Sequence, residues 1–146
     1  MSLVDYSNLE EEIKNVPEMA ILPAKTEARL RIVKVDHGVV EDEAKETYGA
    51  EYNMVTFDVP DEPNAPMFNH FMWDLAGAKD KLSEKQYMDA LRGFKDFAEA
   101  FNIDYSRPFE WDEFINLEGW AIIGIKKDKG GEYPDQNKVM SFVVPK

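Results

Sequence analysis

The sequence predicts a mainly β protein with one long helix set among its strands. Three observations carry this. Five segments alternate or run apolar like strands, at 26–35, 51–59, 67–73, 120–127 and 137–144. One segment, about 83–101, has helical periodicity and its own capping signal. The helix falls between the third and fourth strands.

In the first strand Ala28, Leu30 and Ile32 alternate with Arg29 and Arg31, a period of two. Val33 and Val35 then flank Lys34, so the alternation slips and a bulge near 32–33 is predicted, as long curved strands require. The second strand directs Asn53, Val55, Phe57 and Val59 to the core and Tyr52, Met54 and Thr56 outward. The third is apolar on both sides, with Met67, Phe68, Phe71, Met72 and Trp73 around Asn69 and His70. Such a strand is either buried twice or offers one face to a ligand.

Ser83 and Gln86 form a capping box at the helix start, and Tyr87, Leu91, Phe94, Ala98 and Phe101 make an apolar stripe widened by Ala90 and Phe97. Asn102 is a C-cap candidate. A stripe of this size must be covered, so the helix is expected to plug one end of the sheet. Pro108 opens a short acidic turn that ends at Gly119. Gly124 inside the fourth strand marks a sharp bend or a close backbone approach. The loop 128–136, with Gly130, Gly131 and Pro134, reads as a long hairpin tip.

Five strands with a helix between the third and fourth is the element order of the OB fold. That fold is a five-stranded barrel that commonly grips single-stranded nucleic acid or sugars. The expected architecture is therefore an OB-fold-like barrel over residues 26–146. Residues 1–25 read as an N-terminal extension docked on it, with a capping box at Ser7 and Glu10 and a helix to about Asn15, ended by Pro17 and Pro23.

Composition fits one folded domain: 146 residues, 44% hydrophobic and 12% aromatic. The absence of cysteine excludes disulfides and thiolate chemistry and agrees with a reducing cytoplasm. No run approaches the roughly 18 apolar residues of a membrane span, so no membrane partner is expected. The net charge of −12 opposes phosphate binding, but it is uneven. Within 41–62 eight acids face Lys45 alone, and 108–118 adds four acids and no base, whereas 119–146 carries five lysines against three acids.

Enzyme readings find little support. His37 and His70 are the only histidines, and neither sits in a metal motif; no phosphate-cradling, dinucleotide or nucleophile-elbow pattern occurs. The acidic loop 41–46 lacks the alternating order of a calcium loop. No enzymatic activity, cofactor or metal is expected. Binding readings do better, because single-strand binders combine a basic track with flat aromatic faces. Arg29, Arg31, Lys34, Lys126, Lys127 and Lys129 supply the charge, and Tyr52, Phe68, Trp73, Trp120 and Tyr133 are candidate platforms, with His70 on the same apolar strand. For Trp73 and Trp120 the bland alternative is a place in the core. For Arg29 and Arg31 it is a solvated sheet face.

Several stretches resemble bacteriophage-encoded single-stranded-DNA-binding and related OB-fold proteins. Thr26-Glu-Ala-Arg-Leu-Arg-Ile-Val-Lys-Val and Tyr52-Asn-Met-Val-Thr-Phe-Asp-Val are similar to that group's opening strands. Leu91-Arg-Gly-Phe-Lys-Asp-Phe-Ala-Glu-Ala-Phe-Asn-Ile-Asp resembles its helix, Asn116-Leu-Glu-Gly-Trp-Ala-Ile-Ile-Gly-Ile its fourth strand, and Asn137-Lys-Val-Met-Ser-Phe its last. The resemblance implies a place among phage replication and recombination genes. Two functions are expected from different classes. One is sequence-tolerant binding of single-stranded DNA. The other is an acidic interaction module, or DNA mimic, for a basic replication or recombination protein, with the acids of 41–62 as its working surface. A homodimer through a spare sheet edge is a further expectation.

Overall fold

The computed structural model describes residues 2–145; Met1 of the expected extension and Lys146 of the expected domain lie outside the described residues. Five strands form one antiparallel sheet: β1 (Thr26–Val39), β2 (Glu51–Asp58), β3 (Phe68–Trp73), β4 (Glu118–Lys126) and β5 (Gln136–Phe142). Their order is β3-β2-β1-β4-β5. β1 is long enough to serve two partners: Thr26 to Arg31 pair with β4, and Arg31 to Val39 pair with β2. The edge strands β3 and β5 come into contact, and no hydrogen-bonded ladder joins them among the described residues.

The bulge expected in β1 is present, as a register shift between Ile32 and Lys34. It inserts one residue, so Arg31 and Lys34 both face outward although three positions separate them. β1 runs four residues past its expected end. Asp36, His37 and Gly38 carry no strand signal, and their order comes from pairing with Met54, Asn53 and Tyr52.

The helix α3 (Glu84–Ala100) follows two short elements, α2 (Leu75–Ala78) and a 3-10 turn at Lys79–Lys81. Its Ser83–Gln86 capping box forms in both directions. Phe101 takes the C-cap, and the adjacent Asn102 adopts φ 56°, the left-handed conformation that stops a helix. Phe97 and Phe101 carry the stripe into the core, where Phe101 stacks on Phe57 of β2 at 5.6 Å and Phe97 meets Phe142 of β5 at 5.6 Å. Full burial of rings such as Phe57 and Phe97 is worth about 1.5–3 kcal/mol each. The helix end is pressed against β4: a Cβ on Gly119 would stand 2.6 Å from the Ala100 carbonyl oxygen. Gly124 instead lies beneath the Met140 side chain of β5, so the close approach there is made by a side chain.

The N-terminal segment differs from expectation. The Ser7–Glu10 capping box does not form; Asp5 Oδ1 accepts the Ser7 N–H at 2.9 Å and starts a 3-10 turn, Ser7–Leu9, ahead of α1 (Glu10–Lys14). Residues 2–20 are exposed throughout, so the short helix lies free of the body. Attachment begins at Ala20, whose N–H donates to the Asn64 carbonyl, and centres on Asn137. That side chain is 4% exposed; it accepts from the Leu22 N–H and donates to the carbonyls of Leu22 and Gly124. No described helix is long and apolar enough to cross a membrane.

Candidate functional site

Strand register sorts the side chains into rows across the outer face of β1, β2 and β3. Gly38, Tyr52 and Trp73 form one row, Asp36, Met54 and Phe71 the next, and Lys34, Thr56 and Asn69 the third. The inner face takes Phe68, His70 and Met72. Strand three therefore has one face in the core and offers the other outward.

On that outer face three rings form a platform. Tyr52 stacks on Phe71 with centroids 4.8 Å apart and planes 29° from parallel, and Trp73 meets Phe71 edge-on at 4.7 Å. Phe71 is 42% exposed, and Tyr52 and Trp73 are half-buried. The rings border a groove of about 590 Å³ whose other wall is the β1–β2 loop, with Glu41, Asp42 and Lys45. Phe71 is the functional candidate that sequence reasoning missed, in favour of Phe68, which is 4% exposed. The signal was present: Asn69 marks the outer face, and alternation carries 71 and 73 with it.

The predicted cations divide. Arg29 donates to Asp61 from Nε and Nη2 and to Glu118 from Nη1. Arg31 donates to both carboxylate oxygens of Asp58, directly across the β1–β2 ladder. These bonds raise the pKa of both guanidinium groups, and the Arg29 bond holds the Asp61 carboxyl below its ordinary value. Lys34 lies 3.4 Å from Asp36. Lys126, Lys127 and Lys129, by contrast, have no carboxylate partner among the described residues. They surround a hollow of about 380 Å³ at the β4–β5 hairpin with Tyr133, which is 68% exposed. Asp128 shapes this tip by accepting the N–H groups of Glu132 and Tyr133. The hairpin leaves the sheet where β1 begins, at the Thr26–Ile123 pair, and the aromatic groove lies where β1 ends.

His70 is not part of the platform. It points between β3 and β5, edge-on to Phe142 at 5.3 Å, and burial lowers its pKa to about 4, so the ring is neutral. His37 has the opposite character. Its Nδ1 lies 3.1 Å from Asn53 Oδ1 and its Nε2 3.1 Å from Glu51 Oε1. Those hydrogen bonds, Asn53 first, raise its pKa. Trp120 stands on the outer face of β4 opposite Arg29 and is 46% exposed. Among the described residues no three His, Asp or Glu side chains are grouped as a metal site would need.

The arrangement can receive flat, uncharged groups on rings at one end of the sheet and anions on free lysines at the other. Compared with known proteins, the chain matches no family model, no curated protein and no solved structure.

Proposed function

We propose that this chain binds single-stranded DNA with little sequence preference, as an accessory of phage replication or recombination, on an OB-fold-like barrel whose β3 and β5 edges meet. The observation that carries the reading is the Tyr52–Phe71–Trp73 platform on the outer sheet face, with Phe71 exposed and Tyr52 and Trp73 half-buried. Every base has a face to stack, so ring platforms bind without reading sequence. Lys34, Lys126, Lys127 and Lys129 supply contacts to the backbone, and Tyr133 a further ring. Binding is then weak in high salt, because each neutralised phosphate releases counterions. The experiment is fluorescence anisotropy of labelled oligo-dT at low and moderate salt. Absence of binding at micromolar protein in low salt would end this reading.

A second reading has its own observation. Glu41 and Asp42 wall the aromatic groove, and Arg29 and Arg31 are already satisfied by carboxylates. An acidic, aromatic-lined groove suits a Lys or Arg side chain of a basic replication or recombination protein, through charge and cation–π attraction. A pull-down that recovers such a protein, and loses it when Glu41, Asp42 and Glu43 are changed to Gln or Asn, favours this reading.

A further inference from the structure

We infer that Trp120 is a second base-stacking subsite for the same single strand, at the far end of the outer face from Tyr52 and Phe71. The inference rests on the nucleic-acid reading and extends its track along the sheet. Within β4, Gly119, Ala121 and Ile123 are buried, while Glu118 and Trp120 face outward. Trp is mostly buried on average. This one is 46% exposed at the third position of β4, and it borders a shallow hollow of about 310 Å³ with Glu27, Ala100, Val143 and Pro145. An indole exposed to that extent beside Ala100, Val143 and Pro145 leaves ring surface open to stacking, with Glu27 lining the same hollow.

The face between the two ring sites is continuous. Lys34, Arg31 and Arg29 follow one another along the outer side of β1 because the bulge after Ile32 resets the alternation. Register then sets Trp120 directly beside Arg29. From Gly38 to Arg29 a straight strand would extend about 30 Å at ~3.3 Å per residue. Single-strand sites on one such barrel cover about 4–16 nucleotides, so one strand can reach both ends. The guanidinium groups on the way are held by Asp58, Asp61 and Glu118, whose oxygens occupy donors that a phosphate would take instead.

The experiment is anisotropy at low salt with labelled oligo-dT of about 4 to 16 nucleotides. Wild type, Trp120→Ala, Trp120→Phe and Tyr52→Ala are compared, each with a thermal melt. Wild-type affinity should climb with length until the strand spans both ring sites. Trp120→Ala should match wild type on the shortest oligonucleotides that bind and fall roughly 5- to 150-fold behind on the longest, while Trp120→Phe keeps most of the gain. Trp120→Ala tracking wild type at every length overturns the subsite and leaves the nucleic-acid reading standing. An equal loss at every length, shared by Trp120→Phe and accompanied by a lower Tm, assigns the ring a packing role and overturns it too. If wild type binds no oligonucleotide, the nucleic-acid reading itself fails and the subsite falls with it.

Discussion

The Tyr52 ring lies over Gly38 on the neighbouring strand, so close that a Cβ at position 38 would stand 2.5 Å from the ring Cζ. The glycine is what lets the ring lie flat against the sheet and stack on Phe71. Gly38 does not have a positive φ, so an alanine there suffers from the ring alone. Gly38→Ala should cost about 1–3 kcal/mol of stability by overpacking and should weaken oligonucleotide binding. In a Tyr52→Ala background the same change should be neutral or stabilising by about 0.5–1 kcal/mol, since alanine loses less chain entropy than glycine. Urea melts of the four-member cycle measure this. Equal costs in both backgrounds would mean the ring is not resting on the glycine.

The carboxylates beside Arg29 and Arg31 should restrain binding. Asp58→Asn, alone or with Asp61→Asn and Glu118→Gln, frees donors for phosphate and removes like charge from its path. Oligo-dT affinity should rise, and the salt dependence should steepen by about 0.7 in slope for each additional phosphate neutralised. The pairs are solvent-screened, so stability should change little. Unchanged affinity would place the strand away from this part of β1.

How much of this was legible in the sequence can be followed residue by residue. The bulge after Ile32 and the Ser83 capping box were visible because alternation and capping are local. The last residues of β1 were not, since Asp36 to Gly38 take strand form only from their partners on β2. The Ser7 capping box failed because Asp5, two residues upstream, supplies a competing acceptor. The track of Arg29, Arg31 and Lys34 was readable as charge. The neutralisation of the two arginines depends on residues 27 to 89 positions away in sequence, which only strand register brings together, whereas Lys34 finds Asp36 two positions on.

His70 predicts a pH dependence of stability. Burial holds its folded pKa at about 4, below the ordinary 6.5, so between those values the unfolded chain takes up a proton that the folded chain refuses. Stability should therefore fall as pH drops from about 6.5 to about 4, by up to about 3 kcal/mol, and this contribution should level off below that. His37, with a raised pKa, acts in the opposite sense: its bonds to Asn53 and Glu51 contribute most below 6.5 and fade as pH rises through the folded pKa. Denaturant midpoints of His70→Phe against wild type across pH 7 to 4 isolate the first effect. A wild-type slope that persists in the variant would assign it elsewhere.

Asn137 should be the most sensitive polar residue of the body. Asn137→Ala leaves the Leu22 N–H and the carbonyls of Leu22 and Gly124 without partners at a buried position, at about 1–3 kcal/mol for each group left unsatisfied. Limited proteolysis should then cleave after Lys25 more readily than in wild type, because the clamp fixes that stretch to β4 and β5. A variant with wild-type stability and cleavage pattern would show that the clamp is dispensable.

On the proposed function, the outer-face rings of β2 and β3 hold the bases of a single strand. Anisotropy of labelled oligo-dT at low salt, comparing wild type with Phe71→Ala, tests it most directly. Phe71 is 42% exposed, so the variant should fold with little change in Tm. Wild type should bind, and the variant should lose about 1–3 kcal/mol of binding energy. Equal binding by the two proteins, or none by either, would contradict it.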